Sequence, residues 1–101
     1  MSTILPIQRL RETDTLLAFH NPEPTYPVHI LIMPKQPIAK FMDLSPTDNG
    51  LIMEVVLMVQ SLVEELNLKE EGYRLIVNGG KYQNLPRLHF HLVSGNAAGK
   101  L

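Results

Sequence analysis

The chain has no cysteine. That absence removes disulfides, thiolate nucleophiles and cysteine zinc sites together, and it fits a reducing compartment. The chain also lacks an excess of either charge: nine Lys and Arg stand against ten Asp and Glu, a formal net charge of −1. Such a balance excludes a basic nucleic-acid binder and an acidic solvating tail, so any anion must be held by a local cluster. There is no long hydrophobic run. The longest, Leu51 to Val59, is broken by Glu54 and is far too short to span a bilayer. No basic run followed by an apolar one marks a signal peptide at the N-terminus. These absences lead to the expectation of a soluble, cytoplasmic protein with neither nucleic acid nor membrane as partner.

What is present suffices for one core. At 101 residues and 45% apolar content the chain is the size of a single domain. Residues 1–14, with Pro6 and a charged run from Arg9 to Glu12, read as an irregular or edge segment, and the domain proper is assigned to 15–101. Strands are expected at 15–19 and from Val28 to Met33, separated by a rigid loop in which Pro22, Pro24 and Pro27 forbid regular pairing. Ser45-Pro46-Thr47-Asp48 is a helix start, with Ser45 as cap and Pro46 in the first turn, and the helix should run to about Leu66. Its apolar residues at 52, 55, 56, 59, 62, 63 and 66 form one stripe. Leu51, Met53, Leu57 and Met58 widen it, which suggests either a subunit interface or deeper burial within the monomer. A strand from Tyr73 to Val77, a loop at 78–84 and a last strand complete an α+β domain with an antiparallel sheet and one main helix.

The last strand carries the chemistry. In Arg87-Leu88-His89-Phe90-His91-Leu92-Val93 the two-residue alternation sends Arg87, His89 and His91 to one face and Leu88, Phe90 and Leu92 to the other. Histidine is the side chain most easily poised near neutral pH, and its unprotonated nitrogen is a nucleophile toward phosphorus. Asn78, Gly79, Gly80 and Asn84 just upstream offer the neutral donors that hold phosphate oxygens. Arg87 would favour an anionic ligand and keep neighbouring imidazoles neutral by repulsion. A solvated arginine, and structural roles for His29 and His20, are the plainer alternatives. His29, His89 and His91 could also ligate zinc, but no carboxylate lies near them in sequence and Arg87 would repel a cation, so neither metal nor cofactor is expected.

These residues resemble the histidine-triad superfamily, most closely its Hint branch of purine-nucleotide-binding phosphoramidate hydrolases. Leu17-Ala18-Phe19-His20, then Pro24, Pro27, His29, Leu31, Pro34 and Lys35, keeps the spacing of L-A-F-H-D-x-x-P-x-x-P-x-H-x-L-x-x-P-K. Gly72-Tyr73-Arg74-Leu75-Ile76-Val77-Asn78 is similar to the family's G-Y-R-hydrophobic-V-N strand, and His89-Phe90-His91-Leu92-Val93-Ser94-Gly95 to the last two histidines of H-x-H-x-H and its tail. The resemblance implies a sheet of about five antiparallel strands, extended across a homodimer. It implies that His89 is the nucleophile forming a nucleotidyl intermediate, that His91 contacts the phosphate, and that His29 completes the cluster near the leaving group. It places Phe19, His20 and Asn21 at base and ribose, and Asn78 and Asn84 near phosphate and leaving group, while the carbonyl of Arg87 would hold the nucleophile. Two departures stand out: Arg87 replaces the first triad histidine, and Asn21 replaces the ribose-binding aspartate.

The reading that follows is a hydrolase or transferase of nucleoside monophosphate derivatives, of phosphoramidate or dinucleotide type. The alternative is a binding module in which Arg87 has turned the site into a nucleotide or phosphate sensor with little turnover.

Overall fold

A computed structural model gives the fold and describes residues 9–97. Five strands, β1 (Arg9–Glu12), β2 (Leu16–His20), β3 (Val28–Pro34), β4 (Arg74–Ile76) and β5 (Phe90–Ser94), form one antiparallel sheet in the order β1-β2-β3-β5-β4. The main helix α1 (Asn49–Glu65) and the single turn α2 (Leu68–Glu71) complete the regular structure, with three short 3-10 turns. This is the α+β architecture expected from the sequence. Part of the segment 1–14 belongs to the sheet, because Arg9–Glu12 pairs with β2 as its edge strand, and residues 1–8 lie outside the described residues.

Strand β3 sits at the centre of the sheet. Five of its seven residues are buried, as befits a central strand flanked by β2 and β5 and rich in branched apolar residues. Ile30, Ile32 and Leu92 are fully buried on the face that packs against α1, and Leu16, Ala18 and Phe90 join them. From the helix come Val55, Met58, Val59, Leu62 and Val63, a stripe at helical spacing. Of the residues that seemed to widen this stripe, Met58 is in the core and Leu51 packs against it, whereas Met53 and Leu57 stand about half exposed. The helix is tied to the sheet at its outer side by Arg11 to Glu65 and by Thr15 to Glu54.

The helix begins later than its sequence signal. Ser45 and Asp48 do form a capping box, with Ser45 N–H donating to Asp48 Oδ2 at 2.9 Å, but it caps a 3-10 turn over Pro46–Asp48 that leads into α1 at Asn49. The C-terminal end is a left-handed Asn67 (φ 57°), which turns the chain into α2, an element the sequence reading lacks. The last strand is also shorter than expected: β5 begins at Phe90, so Arg87, Leu88 and His89 precede the ladder. The alternation nevertheless continues through them, since Leu88 is buried in the core with Phe90 and Leu92.

Gly95 ends β5 with φ 89°, and a Cβ there would lie 2.6 Å from Pro27 Cγ. Backbone and ring thus pack where no side chain fits. Gly95→Ala should destabilise the protein by about 1–3 kcal/mol in urea unfolding, through both the left-handed backbone and the clash.

Candidate active site

The face of the sheet opposite α1 carries the histidines. Register across β3 and β5 sets Leu31 opposite His91 and His29 opposite Val93, so His29 and His91 are diagonal neighbours on one face. Their rings meet: His29 Nε2 and His91 Nδ1 are 2.9 Å apart. His89 lies beside them, its ring centroid 4.9 Å from that of His91. All three border a cavity of about 570 Å³, whose wall also includes Asn21, Asn78 and Asn84.

Hydrogen bonds assign the tautomers. The Thr25 backbone N–H donates to His29 Nδ1 at 3.0 Å, which makes that nitrogen the acceptor and leaves the proton on Nε2. His29 Nε2–H then donates to His91 Nδ1, and the His91 proton sits on Nε2. His89 runs the other way. Its Nδ1–H donates to the carbonyl of Arg87 at 2.7 Å, which in the neutral ring puts the lone pair on Nε2. The cluster therefore combines one imidazole lone pair with one imidazole N–H.

Electrostatics keeps two of the rings neutral. Burial lowers the pKa of His29, and burial, followed by the neighbouring His89 and His29, pushes His91 down to about 4. Repulsion from Arg87, the cause inferred from sequence, is not among these: the protein uses desolvation instead. The Arg87 guanidinium points elsewhere, donating to the carbonyls of Pro34 (2.7 Å) and Lys35 (3.4 Å), and it is not in the cavity wall.

Other sequence assignments divide similarly. Phe19 is buried beside Leu31, its partner in register and a residue of the cavity wall, and His20 is exposed and pairs with Ile30; neither lines the cavity. Asn21 lines it, but Oδ1 already accepts the Glu23 N–H at 3.0 Å, closing an Asx turn. The sequence reading missed Thr25, whose amide fixes His29, and Tyr26, whose ring meets His29 edge-on with centroids 5.5 Å apart. Their signal was the rigidity of the three-proline loop, which holds both against His29. Among the described residues no group of three or more His, Cys, Asp or Glu has the geometry to hold a metal ion, and no helix is long and apolar enough to cross a membrane.

The model of the HIT domain matches residues 3–98. The chain belongs to the HIT domain family. An uncharacterized HIT-like protein of Helicobacter pylori is 35% identical over 94 residues, covering 91% of this chain and 88% of its own length. Among solved structures, a HIT family hydrolase from Legionella pneumophila superposes with a TM-score of 0.86 at 32% identity, over 91% of this chain and 84% of that one. A histidine triad nucleotide-binding protein from Candida albicans gives 0.80 at 26% identity, over 96% of this chain and 74% of that one. The five-stranded sheet and single main helix are thus the HIT fold.

The depressed imidazoles give this HIT domain a pH signature. Unfolded His91 takes up a proton near 6.5 while the folded residue resists it down to about 4, so the unfolded state binds more protons in that window. Stability should therefore fall as pH is lowered from 6.5 toward 4. Urea midpoints measured across the range should show a shallower fall for His91→Gln than for the wild type.

Proposed function

We propose that this protein is a nucleotide-binding histidine-triad hydrolase or transferase, closest to the Hint branch, that cleaves nucleoside monophosphate derivatives through a nucleotidyl intermediate on His89. One observation carries the reading: the Arg87 carbonyl holds the Nδ1 proton of His89 and leaves Nε2 as a free lone pair beside His91. That nitrogen attacks phosphorus, and the leaving amine or oxygen departs with the electron pair of its bond and takes a proton from water. A second water then cleaves the P–N bond to His89 and releases the nucleotide.

The neighbours suit that chemistry. His91, neutral and with Nε2–H outward, donates to a phosphoryl oxygen without adding charge, and the Asn78 and Asn84 amides donate from the cavity wall. The family and the nucleotide-binding relative from Candida albicans support a nucleotide as ligand, and a purine nucleoside monophosphate conjugate is the substrate class proposed. A homodimer is proposed with it: β4 is an edge strand of the sheet, and the exposed Tyr73 and Leu75 leave apolar surface beside that edge.

Intact-mass analysis tests the first claim. Wild-type protein mixed with adenosine phosphoramidates or dinucleotides should gain a nucleotidyl mass, and His89→Ala should not. Nucleotide binding with no adduct or turnover, and equal affinity in His89→Ala, would instead establish the low-turnover sensor. For assembly, the wild type should sediment as a dimer at micromolar concentration, and Leu75→Glu should shift it toward monomer; sedimentation velocity reads both.

A further inference from the structure

The carbonyl that sets the tautomer of His89 belongs to Arg87, and Arg87 lies three residues before β5, where no ladder hydrogen bond positions its backbone. Something else must hold it. The segment is stapled instead to residues 34–39, the stretch that leaves the end of β3. Leu88 N–H donates to the Ile38 carbonyl at 2.8 Å, and Gln83 Nε2 donates to the carbonyls of Ala39 and Leu85 at 2.8 Å each and reaches the Arg87 carbonyl itself only at 3.5 Å. The third staple is the arginine itself, through Nη2 to Pro34 O and Lys35 O.

Arg87 therefore contributes both ends of one device. Its carbonyl accepts from the nucleophile, and its guanidinium fixes that carbonyl to the central strand. We propose that Arg87 is a positioning residue for His89, its side chain a backbone clamp and not an anion anchor. This rests on the proposed role of His89 as nucleophile but concerns a property of the free protein.

Three observations favour the clamp over an anchor. The guanidinium does not border the cavity. Its charge is directed at two carbonyl oxygens at the end of β3, those of Pro34, the last residue of the strand, and of Lys35, the next. And Nε is buried with no partner among the described residues, so the side chain is held in this pose through Nη2 despite leaving one donor unsatisfied. Because one nitrogen makes both contacts, a lysine ammonium can take its place, whereas methionine supplies the same stem without a donor.

The test compares Arg87→Lys and Arg87→Met with the wild type, without nucleotide, by long-range proton–nitrogen NMR of the histidine rings. His89 should be protonated on Nδ1 in the wild type and in Arg87→Lys, and should show a mixed tautomer in Arg87→Met while His29 and His91 keep theirs. With an adenosine phosphoramidate, Arg87→Met should lose at least about tenfold in kcat, as mispositioned catalytic imidazoles do, with KM changed less than about twofold. Arg87→Lys should recover most of kcat. A wild-type His89 protonated on Nε2, or an Arg87→Met spectrum with His89 unchanged, overturns the proposal. So does an affinity for AMP that is weaker and less salt-sensitive in Arg87→Met than in the wild type at unchanged kcat, the mark of an anion anchor. A wild type with the expected tautomer and no turnover overturns the hydrolase reading alone, since the NMR comparison needs no substrate.

Discussion

The pairing of β3 with β5 is the constraint on which the site depends. These strands are about sixty residues apart in the chain, and their register alone decides that His29 and His91 share a face and lie diagonal to one another. A slip of one residue would turn His91 into the core and Leu92 into the cavity, exchanging a buried leucine for a buried imidazole. The slip is opposed by the opposite face, where Ile30, Ile32 and Leu92 are wholly enclosed. Hydrophobic burial under α1 thus fixes the chemistry above it.

The site draws little on side-chain charge. Its histidines are oriented by backbone groups, the Thr25 amide for His29 and the Arg87 carbonyl for His89, and burial keeps His29 and His91 neutral. Backbone groups suit this task because strand ends and proline-rich loops hold them more rigidly than any long side chain is held.

Much of this was legible in the sequence, for a physical reason. Alternation reports parity, and parity sufficed to put Leu88, Phe90 and Leu92 in the core with His89 and His91 on the other side. The Ser45–Asp48 cap was equally local, although a 3-10 turn intervened before the helix. Reach was not legible. Parity put Arg87 with the histidines, but the direction of a long side chain depends on acceptors some fifty residues distant, and two carbonyls at the end of β3 drew it away from the cavity. Thr25 escaped notice because its contribution is a backbone N–H, which any residue but proline could provide.

The opposite tautomers of His89 and His91 bear on what the cavity refuses. A divalent cation needs several lone pairs converging on one point. Here the Thr25 amide occupies His29 Nδ1, His29 occupies His91 Nδ1, and the Arg87 carbonyl occupies the His89 Nδ1 proton. One imidazole lone pair is left facing the cavity. To gather a second, a cation would have to break the relay that starts at Thr25, so the same hydrogen bonds that orient the three imidazoles also discourage a metal from binding among them.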